Sequence, residues 1–326
     1  MPRELRLGTR GSQLALWQAN TVRTRIAEAG GPACRIVVIK TTGDRLQQAP
    51  LSEIGGKRLF VKEIEDALLR DEIDLAVHSS KDMPAVLPDG LSIAGVLPRE
   101  DPLDAIVLPA DRAAASGLSR TSTIDDLVSA LGQSPSIGTG SVRRIAQLAR
   151  ILPGARFTPI RGNLDTRLRK LDEGERDSLG KIDALVLATA GLKRLGFERR
   201  ISMRLPVSAC VPAPGQGIVA IETRDGDEAV RRAVGAIDDR HAAAALTAER
   251  SLVEALGGGC QTPIGAVAIG ADDALELTAV VVTPDGSRAI HETGRAALAS
   301  ARQLGLDVAD RLLARGAREI LDEAGR

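Results

Sequence analysis

Short apolar segments alternate with longer amphipathic segments through the first two thirds of this 326-residue chain. Four early segments have the length and apolar content of strands: LRLGTR, CRIVVIKTTG, DLAVHS and LSIAGVL. Helices are predicted between them, over Gln13–Ala29 and in LFVKEIEDALL, whose apolar residues recur at helical spacing. Alternation of this kind is typical of an α/β fold with a largely parallel sheet covered by helices.

The alternation restarts after a loop near Asp101 and changes character after GIVAIETR. The last part of the chain indicates a small α+β domain. It has a long helix that stops at Gly257–Gly259, an antiparallel meander with a Pro-Asp-Gly turn, and a final helix over Ser300–Glu323. We therefore predict three domains, over residues 1–102 with 218–235, over 103–212, and over 240–326.

Composition argues against several classes of function. Apolar residues make up 44% of the chain and the formal net charge is zero, so neither nucleic acid nor an anionic membrane is expected as a partner. One Trp, three Phe and no Tyr offer few platforms for stacking bases. No apolar run reaches the length of a membrane span, and the charged start MPRELRLGTR is not typical of a signal peptide, so we expect a cytoplasmic protein. The three Cys and three His are scattered, and neither a disulfide framework nor a metal site is expected.

Cations are concentrated between Ile137 and Lys170, a stretch whose only acid is Asp165. Arginine binds carboxylates and phosphates well because its planar fork bonds two oxygens at once, so the stretch predicts a site for a polyanion. Within it, IGTGSVRR places a strand end and a Gly-Thr-Gly-Ser turn before a helix, where free N–H groups also attract anions. We expect Arg143, Arg144 and Arg161 to bind an anion. Solvated helix faces are expected for Arg150, Arg156 and Arg169.

A second candidate site follows the apolar strand in DLAVHSSKDMP. The strand delivers polar side chains to its carboxyl end, where open α/β sheets bind ligands. Two readings of Asp82 remain open. It serves as an acid–base group or charge stabiliser, or it forms a surface ion pair with Lys81 that contributes little.

A third candidate is Cys260, in the glycine-rich segment GGGCQTPIG just after a predicted helix end. Three preceding glycines favour exposure of this thiol, whereas Cys34 and Cys210 are expected to be buried. A cysteine nucleophile normally needs a nearby histidine base, and none is placed locally. Covalent attachment of a group without turnover at sulfur fits better.

Taken in order, the motifs closely resemble those of the hydroxymethylbilane synthases, also called porphobilinogen deaminases, over nearly the whole chain. The matching stretches are GTRGSQLALWQ, GGKRLFVKEIE, DLAVHSSKDMP, IGTGSVRR, IRGNLDTRLRKLD, ATAGLKRLG, PAPGQGIVAIE and GGGCQTPIG. The resemblance implies two α/β domains like the lobes of class II periplasmic binding proteins, with the active site between them. A smaller C-terminal α+β domain would carry Cys260.

The resemblance also implies a transferase of haem biosynthesis. A dipyrromethane cofactor would be held on Cys260 through a thioether, and four porphobilinogen molecules would be added stepwise to it with loss of ammonia. Hydrolysis would then release the linear tetrapyrrole hydroxymethylbilane. Each pyrrole unit carries an acetate and a propionate, which gives the arginine-rich stretch a ligand.

The same resemblance assigns residues to roles. Asp82 matches the catalytic aspartate, which would stabilise the cationic azafulvene-like intermediate and move protons. The cofactor would be bound by Cys260, Lys81, Ser79, Thr139, Ser141, Arg143, Arg144 and Arg161. The substrate would be bound by Arg10, Ser12, Lys57, Phe60, Arg167 and Gln216, with Phe60 packed against a ring and Gln216 at the interdomain hinge. Departures from the family pattern at Glu53, Arg58 and Gly140 alter binding details rather than remove an essential group.

Two other classes of function stay open at this point. A two-lobed carrier of a small organic acid would use the same arginines without catalysis. A polyanion-binding regulator would use them too, but the sequence has no helix-turn-helix pattern to support it. An intact mass separates the first from a synthase, because only the synthase is heavier than its sequence by a dipyrrole. We expect a monomer, because no extended apolar surface pattern is evident.

Overall fold

The computed structural model describes residues 3–42, 61–174, 176–177, 180–258 and 262–324. Three of the residues assigned above, Lys57, Phe60 and Cys260, lie outside the described residues, as do the departures at Glu53 and Arg58. The described residues form three main sheets and one short hairpin of β8 (Arg176–Asp177) and β9 (Gly180–Lys181). In this part of the chain, no helix combines the length and the apolar content that a membrane span needs.

The first sheet takes four strands from the first hundred residues and one from much later in the chain. Across the sheet the strands are β2 (Cys34–Val38), β1 (Leu5–Thr9), β3 (Leu75–Ser79), β12 (Val219–Arg224) and β4 (Leu91–Val96). As predicted, β2, β1 and β3 are parallel neighbours. The late strand β12 lies antiparallel to both β3 and β4. The helices associated with these strands are α1 (Gln13–Glu28), α2 (Lys62–Leu69) and α8 (Glu228–Gly235).

The second sheet is also mixed. Its strands are, across the sheet, β11 (Met203–Arg204), β5 (Asp104–Val107), β10 (Ala184–Ala188), β6 (Ser136–Gly138) and β7 (Arg156–Thr158). The β10, β6 and β7 strands are parallel, whereas β5 is antiparallel to β10. The helices of this part of the chain are α3 (Ala110–Ala113), α4 (Ile124–Leu131), α5 (Val142–Ile151), α6 (Leu164–Asp172) and α7 (Thr189–Arg194). These two helix-covered sheets confirm the predicted α/β class.

The third sheet is the predicted antiparallel meander, and with its helices it confirms the smaller α+β part. Its strands are β13 (Ile264–Ala271), β14 (Ala274–Val282) and β15 (Ala289–Ala297). The long helix α9 (Arg240–Leu256) ends at Gly257, whose φ of 68° is the left-handed cap that the glycines predicted. The prediction of one final helix over Ser300–Glu323 is wrong. Two helices, α10 (Ala301–Ala314) and α11 (Ala317–Ala324), replace it, because Gly316 adopts a φ of 92° that no right-handed helix continues through.

The strands of the first sheet lie within residues 5–96 and 219–224, those of the second within 104–204 and those of the third within 264–297, and the division into three domains stays a prediction. What matters for the site is the direction of the strands. The β3 and β6 strands both end near the place where the chain passes between the first and second sheets, and the polar segments after them meet there.

Candidate active site

A cavity lies where three parts of the chain meet. The segment after β3 contributes Ser80 and Lys81, the start of α5 contributes Ser141 and Arg143, and the C-terminal part contributes Arg250 and Thr262. Apolar side chains complete the wall, among them Met83, Leu246, Val253 and Ile264. Thr262 is close in sequence to Cys260, so the described wall reaches to the edge of the segment that holds this cysteine.

The segment after β3 is a single 3₁₀ turn over Ser80–Asp82, closed by a hydrogen bond from the Met83 N–H to the Ser80 carbonyl (3.1 Å). The Oγ of Ser79 accepts a hydrogen bond from Gln18 Nε2 of α1 (2.8 Å) and so ties the strand end to that helix. Ser80, and not Ser79, faces the cavity. The turn is held from behind by Gly215, where a Cβ atom would approach Ser80 Oγ to 2.6 Å.

Lys81 and Asp82 leave this turn in different directions. The Lys81 amine donates to Gln216 Oε1 (3.3 Å), while the Asp82 side chain is exposed. Burial lowers the pKa of Lys81 to about 8, with Asp82 and Asp104 acting to raise it and Arg144 and Arg143 acting to lower it. Among the described residues, the Lys81 amine bonds Gln216 rather than forming the surface ion pair considered for Lys81 and Asp82.

The turn after β6 is built from hydroxyl groups, as the IGTGSVRR segment predicted. Thr139 is buried, and its Oγ1 accepts a hydrogen bond from the Ser141 N–H (3.3 Å). Ser141 is the N-cap of α5, where its Oγ accepts from the Arg144 N–H (3.4 Å). Nothing lies within 4 Å of a Cβ atom added at Gly140, so this departure from the family pattern leaves open space in the turn.

Arg143 and Arg144 are buried and share one carboxylate, that of Asp104. Arg144 donates to Asp104 Oδ1 from Nε (3.0 Å) and from Nη2 (2.7 Å), and Arg143 Nη1 lies 2.8 Å from Oδ2. Burial alone would raise the pKa of Asp104, but the charges of the two guanidinium groups outweigh it and hold that pKa well below its usual range. Asp104 is therefore ionised, and two cations with one anion leave an excess positive charge beside the cavity.

Arg161 and Arg167 extend this positive region. Arg167 Nε donates to the Gly162 carbonyl (2.8 Å). The pKa of Arg167 is lowered to about 10, mainly by burial and also by the charges of Arg144 and Arg161, while the charge of Asp82 acts to raise it. Arg144, Arg161 and Asp82 therefore lie close enough to Arg167 for their charges to act on its guanidinium.

The solvated positions predicted for Arg150, Arg156 and Arg169 are confirmed in part. Arg150 and Arg169 are exposed, and Arg169 makes only a loose ion pair with Glu173 at 3.6 Å. Arg150 is exposed but donates to the Gly286 carbonyl (2.7 Å), so it links α5 to the turn after β14. Arg156 is partly buried.

The other assigned residues lie at neighbouring strand ends. Arg10 and Ser12 follow β1, which is parallel to β3, and Ser12 is the N-cap of α1, accepting from the Ala15 N–H (3.3 Å). Gln216 is buried between the first two sheets. Its Nε2 donates to the Pro102 carbonyl (2.7 Å) and to Asp104 Oδ1 (2.9 Å), and its role as a hinge stays a prediction.

Several residues of the site were missed from the sequence. Asp104 opens a buried strand, DAIV, and an acid before such a run was the one available signal. Arg250 carries no local signal, because it lies in the middle of a long helix. Its Nη2 donates to the Ala85 carbonyl (2.7 Å) and its side chain reaches the cavity.

Comparison with known families agrees with this geometry. A family model described as "Porphobilinogen deaminase, dipyromethane cofactor binding domain" matches residues 5–232, and one described as "Porphobilinogen deaminase, C-terminal domain" matches residues 243–314. The chain belongs to the porphobilinogen deaminase family. The relative from Geobacter metallireducens is 43% identical over 323 residues, 99% of this chain and 95% of its own length. The relative from Syntrophobacter fumaroxidans is 42% identical over 326 residues, 99% of each chain. Both are named porphobilinogen deaminase.

Likenesses among solved structures are more distant. Immunogenic lipoprotein A from Vibrio vulnificus is 13% identical, with 73% of this chain and 96% of that chain covered and a TM-score of 0.42. A TRAP periplasmic solute binding protein from Desulfovibrio salexigens is 11% identical, with 73% of each chain covered and a TM-score of 0.41. These distant likenesses say nothing about what this chain binds.

The cavity suits the dipyrromethane of the porphobilinogen deaminase family. Such a group carries carboxylates on each pyrrole ring, and the wall presents Lys81 and Arg143 to it. Two buried polar atoms on the wall, Ser80 Oγ and Arg143 Nε, have no hydrogen-bond partner among the described residues. Buried donors are rarely left without a partner, so these atoms fit a polar ligand in the cavity.

Proposed function

We propose that this chain condenses four porphobilinogen molecules, one at a time, into hydroxymethylbilane on a dipyrromethane joined to Cys260 through a thioether. In each step the C–N bond of the substrate's aminomethyl group breaks and ammonia leaves. A C–C bond then forms to the free α-carbon of the terminal pyrrole, and that carbon loses its proton. When bound, the dipyrromethane would supply the first such α-carbon. After four additions, water would cleave the bond between the cofactor and the first added unit, so that the released tetrapyrrole carries the water oxygen as its hydroxyl and the cofactor regains a proton at its α-carbon.

The observation that carries the proposal is the convergence of cations on one cavity that Thr262 also lines. Lys81, Arg143 and Arg250 come from three different parts of the chain and line the same cavity. Thr262 is part of the same wall. A chain with zero formal net charge has no general excess of cations to distribute, so their convergence favours a ligand with several carboxylates.

The described residues have two roles in this proposal, catalysis by Asp82 and binding of carboxylates by the cations and hydroxyl groups. Asp82, exposed at the mouth of the turn, supplies a negative charge to the cation left when porphobilinogen loses ammonia, and accepts the proton of the pyrrole carbon. Carboxylates of the cofactor pair with Arg143, Arg144, Arg161 and Lys81, and hydroxyl groups of Thr139 and Ser141 bond their oxygens. The substrate's carboxylates pair with Arg10 and Arg167.

The proposal is tested by intact mass spectrometry of the purified protein after incubation with porphobilinogen. The wild-type chain should be heavier than its sequence by one dipyrrole. Cys260→Ala should fold, because one thiol contributes little to stability, yet it should have the mass of its sequence alone. Cys34→Ala is the matched control, because Cys34 is half-buried at the start of β2, far along the chain from the cavity, and it should keep the dipyrrole. A dipyrrole on Cys260→Ala, or none on the wild type, would contradict the proposal.

We also propose that the protein acts as a monomer in the cytoplasm. Sedimentation equilibrium of the cofactor-loaded protein should give one chain mass. A dimer that persists on dilution would contradict the monomer.

A further inference from the structure

Asp104 is the most connected polar side chain near the cavity. It is fully buried at the first position of β5, and both of its oxygens accept hydrogen bonds or ion pairs. Oδ1 accepts hydrogen bonds from Nε and Nη2 of Arg144 and from Nε2 of Gln216 (2.9 Å). Oδ2 forms an ion pair with Nη1 of Arg143 (2.8 Å) and accepts a hydrogen bond from the thiol of Cys210 (3.5 Å).

This arrangement solves a geometric problem at the start of α5. Successive side chains of a helix diverge by about 100° around its axis, so Arg143 and Arg144 would not naturally face one ligand. Their like charges also repel. A single carboxylate between them turns both guanidinium groups toward one side, and backbone carbonyls hold the far edges, Val211 for Arg143 (2.7 Å) and Val186 for Arg144 (2.8 Å).

The same carboxylate reaches Lys81 through one intermediate side chain. Gln216 donates to Asp104 from Nε2 and accepts from Lys81 Nζ at its Oε1, at 3.3 Å. The charged groups that act on Lys81 are Asp82, Arg144, Asp104 and Arg143. Asp104 is therefore one of the two anions that keep Lys81 protonated between two cations.

We propose that Asp104 is a positioning residue of the reaction, which aligns Arg143 and Arg144 toward the carboxylates of the cofactor and keeps the neighbouring Lys81 charged. The inference rests on the proposed function, since it gives these cations the cofactor as their ligand. It assigns Asp104 no contact with substrate. Asp104 acts by holding Arg143 and Arg144 in position and by its charge near Lys81.

A purely structural role is the alternative, and Asp74 provides the matched control. Asp74 is also a buried aspartate that bonds arginines, Arg3 (2.5 Å) and Arg6 (3.0 Å to Nε). It directly precedes β3, at the opposite end of the strand from Lys81. Asp74→Asn should therefore cost stability as Asp104→Asn does, without touching the cavity.

The experiment compares the wild type, Asp104→Asn, Asp104→Glu and Asp74→Asn by three readouts. The first is the fraction of chain that carries the dipyrrole, by intact mass after incubation with porphobilinogen. In Asp104→Asn this fraction should fall about 10-fold or more, because misaligned arginines lose charge-assisted bonds. The second readout, on loaded protein, is KM and kcat for porphobilinogen, and KM should rise more than kcat falls. Asp74→Asn should match the wild type in both.

The third readout is the pH at which kcat/KM falls on the alkaline side. Removing the Asp104 charge should move this fall to lower pH by about one unit, because a nearby anion raises the pKa of a lysine. Asp104→Glu keeps the charge, so the fall should stay at its wild-type pH, while loading decreases because the carboxylate is displaced by one methylene. If Asp104→Asn does not fold, the cofactor loading of Asp104→Glu tests the positioning role instead.

Two results would overturn the inference. In the first, Asp104→Glu shows wild-type cofactor loading and a wild-type KM, while Asp104→Asn either loads normally or does not fold. The other is the same loss of loading in Asp74→Asn as in Asp104→Asn. Failure of the proposed function looks different, since then the wild type itself would carry no dipyrrole.

Discussion

Lys81 and Asp82 are adjacent in the chain, yet their side chains have opposite surroundings. The Lys81 amine points inward to Gln216, and burial holds its pKa near 8, whereas the Asp82 carboxylate is exposed. The 3₁₀ turn produces this divergence, because side chains of consecutive residues in it point about 120° apart. One turn thus supplies an inward cation for binding and an outward anion for chemistry.

Replacement of Asp82 separates these two roles. Asp82→Asn keeps the shape but removes the charge and the proton acceptor, so turnover should fall about 100-fold or more. Asp82→Glu keeps the charge, displaced by one methylene, and should lose less. Ammonia release and bilane formation are measured on cofactor-loaded protein of each variant. If Asp82→Asn retains most of the wild-type rate, the aspartate has no catalytic role.

The lowered pKa of Lys81 predicts a pH dependence. The amine is protonated below pH about 8 and neutral above it, so attraction for carboxylates should weaken, and kcat/KM for porphobilinogen should decrease, as the pH rises through 8. Lys81→Arg keeps a cation above that pH and should abolish the decrease. Lys62→Arg, at an exposed lysine paired with Asp66, is the control and should leave the profile unchanged. A decrease near pH 8 that persists in Lys81→Arg would assign it to another group.

At the scale of elements, the site is made by turns that follow strand ends, and one turn is held in place by another. The β3 and β6 strands end in polar turns, as expected for an α/β sheet. The turn after β3 packs against the PAPGQG segment, where Gly215 has a φ of 73° and its N–H donates to Glu249 Oε2 (2.6 Å). The absence of a side chain at Gly215 lets Ser80 face the cavity.

Gly215→Ala should therefore damage both stability and the site. The left-handed backbone and the contact with Ser80 Oγ together should reduce the free energy of unfolding by about 1–3 kcal/mol, and the displaced turn should lower cofactor loading. Urea unfolding and intact mass measure the two effects. Gly235→Ala is the control, because a Cβ atom at this helical position meets nothing within 4 Å. Equal stability and loading in both variants would show that the close approach is unimportant.

At the scale of the whole molecule, a buried glutamate joins the three main parts of the fold. Glu249 of α9 accepts from the Arg99 guanidinium, from the Gly215 N–H and from the Ala268 N–H of β13 (2.6 Å). Arg99 follows the first sheet, Gly215 belongs to the segment between the first two sheets, and Ala268 lies in the third sheet. This carboxylate is fully buried and shared by all three parts, so it contributes to their relative positions.

Loss of this charge should affect the entire molecule. Glu249→Gln removes the buried counter-ion of the partly buried Arg99, so the free energy of unfolding should decrease by about 3 kcal/mol. Glu254→Gln, at an exposed position of the same helix, should change it by less than about 0.5 kcal/mol. Urea unfolding followed by circular dichroism gives both values. Similar midpoints for the two variants would contradict a joining role for Glu249.

The sequence by itself determined the features that depend on near neighbours in the chain. The strand–helix alternation, the N-cap at Ser141, the left-handed end at Gly257 and the cationic stretch after Ile137 all follow from side chains a few residues apart. The tertiary structure alone decided the rest. The antiparallel insertion of β12 between β3 and β4, the choice of Ser80 over Ser79 as cavity residue, and the pairing of Asp104 with two arginines join residues that are far apart in the chain. Local periodicity specifies which face of an element is apolar but not which distant segment packs against it, and the charge balance of this cavity depends on that packing.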